Sequence, residues 1–138
     1  MRILIVSVIG LLMANLCLGD ETNTQSRERM AVADFSVLGG VSEKDAGRIV
    51  AEYLTVKLND RYDVYERTQL SKLLHEQELE MSDLIDNDEA ALEFGKLKGI
   101  RYMILGSISK LGNNYLVTAR TVDCQTGKVS QRAGMHNT

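Results

Sequence analysis

The sequence predicts an α/β fold: a mixed sheet with helices packed on it, in the order β-α-β-α-α-β-β-β. Three observations predict it. An apolar run, Met30-Ala-Val-Ala-Asp-Phe35, precedes a stretch in which apolar residues recur every three to four positions, as in a buried strand followed by an amphipathic helix. From Arg101 onward, β-rich segments alternate with glycine-containing turns, the pattern of an antiparallel meander. The composition, 44% hydrophobic and 25% charged over 138 residues, belongs to a globular chain of one domain and excludes a multidomain enzyme.

In chain order, residues 20–28 are polar and read as a flexible lead, residues 29–134 as the domain and residues 135–138 as a tail. Met30–Phe35 is the first strand, ended by a turn at Gly39-Gly40. Ser42-Glu-Lys-Asp45 resembles a capping box, in which a hydroxyl satisfies free backbone N–H groups at a helix start. Ala46, Ile49, Val50, Tyr53, Leu54 and Leu58 follow at helical spacing and are expected on the sheet. Tyr62–Glu66 alternates and reads as the second strand, joined to the first by a helix and therefore parallel to it. Thr68 is placed to cap the next helix, whose inner face is Leu70, Leu73 and Leu74. A loop over Met81–Asn87 leads to a third helix from Asp88 to Leu97, with Ala91, Phe94 and Leu97 inward. Gly99 suits its left-handed C-terminus. Arg101–Ser109, Tyr115–Asp123 and Lys128–Ala133 form the meander, turning at Leu111–Asn114 and Thr126-Gly127. Gly106, inside a strand, marks a close approach of neighbouring atoms.

The amino-terminal segment reads as an address. Residues 3–18 are uncharged and apolar, follow Arg2, and lead to small residues near position 19, the pattern of a secretory signal peptide. Cleavage is expected after Gly19, and the run is shorter than the ~20 residues of a spanning helix. An uncleaved anchor and a lipoprotein acylated at Cys17 remain as alternatives. With the leader cleaved, acylation at Cys17 would be the one membrane attachment. Removing residues 1–19 takes away one base and no acid, so the net charge moves from −3 to −4 and Cys124 is left as the sole cysteine. No intramolecular disulfide can then form, and core packing alone must hold the fold.

Candidate chemistry is sparse. Cys124 sits in the expected turn after the second meander strand, with no neighbouring base to activate a thiol. His75 follows an apolar helix face and His136 falls in the tail, neither with ligand-spaced partners. Asp34 ends the first strand, where α/β sheets host ligands. Its carboxylate is expected on backbone N–H groups of the following loop. Gly39-Gly40 lacks the Lys-Ser/Thr pair of a phosphate loop. No catalytic residue, cofactor or metal is expected. A hydrolase using Asp34 or Cys124 is the alternative from the enzyme class.

Charge is more informative. Its mild acidity argues against a nucleic-acid binder. Glu76 to Glu93 carries eight acids and no base, whereas Gly95 to Arg132 carries seven bases and one acid, Asp123. Such a segregated chain offers an acidic surface (Glu76, Glu80, Asp83, Asp86, Asp88, Glu89) and a basic one (Arg101, Lys110, Arg120, Lys128) to partner proteins. Opposed potentials of this kind set encounter rate and specificity, and contacts between the two edges of different copies close rings or grow filaments. Arg67, between a strand and a helix, is expected to pair with Glu66 or Glu76.

Met30-Ala-Val-Ala-Asp-Phe35, Val64-Tyr-Glu-Arg67, Leu73-Leu-His-Glu-Gln77, Gly95-Lys-Leu-Lys-Gly-Ile-Arg-Tyr-Met-Ile-Leu-Gly-Ser107 and Asp123-Cys-Gln-Thr-Gly-Lys-Val129 together resemble the curli production assembly/transport family, the CsgG type. The resemblance runs from about Met30 to Val129. It implies a fold similar to anticodon-binding and TolB amino-terminal domains. It also implies a non-enzymatic protein exported across the inner membrane to the periplasm and associated with the outer membrane. Envelope proteins or further copies of the chain would be its partners. Related domains include a ring-shaped secretion channel, lipoprotein activators of peptidoglycan synthases and flagellum-associated proteins. This chain has no spare segment for the long lipid-facing hairpins of a channel.

Overall fold

The computed structural model describes residues 26–137. The expected leader, the lipidation position Cys17 and the first part of the lead lie outside the described residues. The chain runs through β1 (Arg29–Val32), β2 (Ser36–Val37), α1 (Ala46–Leu58), β3 (Asp63–Tyr65), α2 (Arg67–Glu76), α3 (Met81–Asp86), α4 (Asp88–Lys98), β4 (Tyr102–Leu111), β5 (Asn114–Asp123) and β6 (Val129–Asn137). The strands form one mixed sheet ordered β3-β1-β4-β5-β6, with β2 also paired to β4. β1 is central and parallel to both neighbours, Met30 lying opposite Val64 and Tyr102. β4, β5 and β6 are the antiparallel meander.

Strand alternation sends side chains to opposite faces and builds a core on each. Ala31, Ala33, Met103, Leu105 and Val122 meet Leu70, Leu74, Leu84, Ala91 and Phe94 from α2, α3 and α4. On the other face Met30, Val32, Phe35, Val64 and Ile108 pack with Ala51 of α1. The expected α/β class stands, with helices on both faces of the sheet.

Several local expectations are corrected. The Met30–Phe35 run is not one strand: pairing breaks after Val32, and β2 resumes it two residues long. No hydroxyl caps α1, whose N-cap is Asp45 without a side-chain hydrogen bond. Gly47 fixes the entry instead: its carbonyl accepts from the Phe35 N–H at 3.2 Å, and a Cβ there would lie 1.8 Å from the Phe35 carbonyl oxygen. This approach aims Ala46, Val50, Ala51, Leu54 and Leu58 at the sheet. The helix is apolar over more than one face, so Ile49, Tyr53 and Val56 are left outside, exposed by 55–73%. Leu97, expected inward, is also exposed.

Thr68 does not cap α2. Glu66 does, in a capping box with Gln69. Residues 81–86, expected as a loop, form α3, started by a second box between Glu80 and Asp83 and anchored by fully buried Leu84. The last strand extends beyond Ala133, so His136 pairs with Tyr115 in the ladder and is not in a free tail. Two glycine expectations hold. Gly99 caps α4 with φ +68°, and a Cβ on Gly106 would sit 2.4 Å from both the Phe35 ring and the Thr118 carbonyl oxygen.

Candidate functional site

The carboxyl ends of β1 and β3 open into a crevice of about 400 Å³ between α1 and the start of α2, lined by Val32, Thr55, Glu66, Arg67 and their neighbours. Open α/β sheets bind ligands in such places. Its polar groups serve local structure here. The Arg67 Nε donates to both Asp34 oxygens at 3.1 and 2.9 Å, so Arg67 pairs with Asp34 and not with Glu66 or Glu76. For the same reason the Asp34 carboxylate holds a guanidinium and not the backbone of its loop. Glu52 is paired with Arg48 at 2.9 Å, the Thr55 hydroxyl donates to the Ala51 carbonyl, and Glu66 caps α2. The Arg48 pKa is raised, chiefly by its hydrogen bond to Glu52.

Cys124 lies in the turn, as expected, but its side chain belongs to the core. Its N–H donates to the Arg101 carbonyl, and the side chain turns inward, 1% exposed, among Ala91, Phe94 and Val122. Burial pushes its thiol up to about 11, far from the range of a nucleophile. The turn itself is organised by Asp123. Its Oδ1 accepts from the Gln125 and Thr126 N–H groups, and its two oxygens accept from Arg101 Nε and Nη2 at 2.9 and 3.1 Å. Arg101 holds the Asp123 carboxyl well below the usual carboxylate range, at about 2, and its own pKa is raised by the same bond. His75 is exposed near the end of α2. Among the described residues no three His, Cys, Asp or Glu side chains are grouped to hold a metal.

The charged surfaces are partly joined within the chain. Arg120, expected on the basic surface, reaches across to the acidic one: its Nε lies 2.6 Å from Asp88, and its Nη2 donates to the Ile85 carbonyl. Lys98 lies 3.9 Å from Glu76, and Arg101 pairs with Glu28 as well as Asp123. Glu80 and Asp83 are committed to the α3 box. Lys110 rests over the Tyr115 ring, 5.9 Å from its centre. Among the described residues, the exposed charges with neither an ion pair nor a capping role are Glu78, Asp86, Glu89 and Glu93 from the acidic stretch, and Lys96, Lys128 and Arg132 from the basic one.

Sequence reasoning missed the outer edge of β6. Every residue from Val129 to Met135 is exposed, and β6 pairs on one side only among the described residues. The signal available was modest: a β-rich segment at the end of a meander, in a chain without proline.

A search of curated proteins finds no match. Solved structures share the fold. The LpoB C-terminal domain from Escherichia coli is 18% identical at a TM-score of 0.65, covering 84% of this chain and 87% of that one. Lipoprotein GNA1162 from Neisseria meningitidis is 11% identical at 0.65, covering 80% of each chain. The PelC dodecamer from Paraburkholderia phytofirmans is 15% identical at 0.52, covering 81% of this chain and 72% of that one. The family model described as curli production assembly/transport component CsgG matches residues 12–118, more than three quarters of the sequence. The chain therefore belongs to the CsgG family.

Proposed function

We propose that this protein is a non-enzymatic, envelope-associated domain that acts in the periplasm by binding other proteins. The observation that carries the reading is the family match over residues 12–118. The engagement of Glu52, Thr55, Glu66 and Arg67 of the strand-end crevice in ion pairing, backbone bonding or capping supports a binding role over a chemical one. Export follows from the signal-peptide pattern of residues 1–19. Acylation at Cys17 is the route by which such a domain would be tethered, as the name of lipoprotein GNA1162 suggests for that neighbour.

Ring-type self-assembly is the finer form of this reading. It draws support from the dodecameric PelC neighbour and from the unspent charges Asp86, Glu89 and Lys128. The second form is a monomeric regulator of an envelope enzyme. One observation favours it: Arg120–Asp88 and Lys98–Glu76 join the acidic and basic stretches within one chain, which weakens their pull on another copy. Native mass spectrometry of the full chain at low and high salt separates the two. Rings at low salt that dissolve at high salt support assembly through opposed charges. A single heterologous crosslinked partner in cells, with monomer in vitro, supports the regulator.

A further inference from the structure

The two edges of the sheet are unlike. β3 is three residues long, and its Asp63 is paired with Arg29 at 3.7 Å, so that edge is short and charged, as protected edges are. β6 is nine residues long, in unbroken register with β5 from Val129 to Asn137, and Arg132 is its one Lys or Arg; it has no Asp or Glu. No proline or bulge interrupts it.

The hydrogen-bond pattern says which groups face outward. The Asp123 N–H donates to the Lys128 carbonyl at 2.9 Å, and those two residues lie opposite each other in the extended register. Bonded pairs alternate in an antiparallel ladder. Ser130, Arg132, Gly134 and His136 therefore direct their backbone groups to β5. Val129, Gln131, Ala133, Met135 and Asn137 direct theirs away from the sheet, with no partner among the described residues.

We propose that this edge is a homodimerisation site, at which β6 pairs antiparallel with β6 of a second copy about a twofold axis through Ala133. The strand is self-complementary there. Ala133 is its midpoint, so all nine residues overlap and the outward N–H and C=O groups meet in bonded pairs. Arg132 then faces Gly134 of the other copy. Centring on Arg132 would oppose two like charges at the closest cross-strand distance. In the Ala133 register, exposed Met135 lies diagonally from Val129 of the second chain, and both are covered across the seam. A contact one strand wide is smaller than the ~1,200 Å² of standard interfaces, so the dimer is weak and concentration-dependent. The proposal is independent of the charge-based association above, because main-chain pairing is insensitive to salt.

Sedimentation equilibrium of the full chain, followed up to about 1 mM and at ~0.05 and ~0.5 M salt, tests it. A monomer–dimer equilibrium unchanged by salt is expected. Ala133→Pro removes an outward N–H without touching the β5 ladder. It should weaken dimerisation at least about tenfold, since two bonds are lost per dimer, while the circular dichroism spectrum stays unchanged. Should that variant misfold, Ala133→Cys serves: across a bonded pair the two Cα atoms lie ~5.5 Å apart, within disulfide range. Ala133→Cys should oxidise to a covalent dimer. Ser130→Cys should not, its two copies being roughly 20 Å apart along the strands. A chain monomeric at every concentration overturns the proposal. So does a folded Ala133→Pro variant that dimerises undiminished, or a dimer that dissolves at high salt, which would assign association to the charged surfaces.

Discussion

Gly47→Ala is the substitution on which sequence and structure disagree most. By helix propensity it should stabilise α1 by up to about 1 kcal/mol, because glycine is the poorest ordinary helix former. The structure reverses the sign. The new Cβ would lie 1.8 Å from the Phe35 carbonyl oxygen and 2.8 Å from its carbon, against ordinary contact beyond 3.4 Å. These are backbone atoms of the β1–β2 connection and cannot rotate aside. The helix would have to retreat by more than an ångström, stretching the 3.2 Å bond from the Phe35 N–H to the Gly47 carbonyl and lifting Ala51 from the core it fills. Overpacking of one carbon costs about 1–3 kcal/mol and the hydrogen bond about 1 kcal/mol. Net of propensity, Gly47→Ala should destabilise by about 1–3 kcal/mol, a fall in Tm on the order of 10 °C for this size. Urea unfolding followed by far-ultraviolet circular dichroism measures it. Ser42→Ala is the control and should be neutral, since no side-chain bond caps the helix. A Gly47→Ala midpoint equal to or above that of the parent would refute the claim that this contact seats α1.

Three further outcomes are expected. Cys124, 1% exposed and with its thiol at about 11, should resist a thiol reagent at pH 8 in the native protein and react at once in urea; rapid native labelling would contradict its place in the core. Asp123, at about 2 when folded against 3.8 as a free side chain, contributes stability that is present above pH 3.8 and lost as pH falls toward 2. Asp123→Asn should therefore flatten the acid limb of the stability profile between about pH 4 and pH 2, and an unchanged limb would place the titration elsewhere. Glu78 holds φ +56° at the end of α2, a conformation that suits glycine. Glu78→Gly should raise stability by about 0.5–1 kcal/mol in the same urea assay, and a loss would mean that its side chain contributes more than its backbone strain.

Features that depend on neighbours in the chain were legible. The apolar run at Met30, the meander with Gly112 and Gly127 at its turns and the left-handed Gly99 each need only a few adjacent residues. Features set by topology were not. Asp34 meets Arg67 only because β1 and β3 lie side by side, and Arg120 meets Asp88 only because α4 crosses the meander. Close approach at Gly47 chose the buried face of α1, where periodicity had put Ile49 and Tyr53 inward as well. Cys124 is in the turn that the sequence indicated, but that its side chain points inward depends on α4 lying beneath that turn. Of the charged surfaces, composition gave the sign of each stretch and could not reveal how much of it is neutralised by the chain itself. The β6 edge left no sequence mark beyond the absence of anything to blunt it.

The central position of β1 sets the order in which this protein can be made. β1 is the first described element to leave the ribosome, yet its two neighbours are β3 and, much later, β4. Until Tyr102–Ile104 has been synthesised, Met30, Ala31 and Val32 have at most the three-residue β3 to pair with, and loop closure over that span is slow. Only the final quarter of the chain, the β4–β5–β6 meander, can build its strand pairs from local contacts. Nascent chains ending before Tyr102 should thus remain protease-sensitive throughout, and a compact core should appear only when the meander receives β1. A domain built this way should stay unfolded for most of its translation, the state that the export proposed above would require.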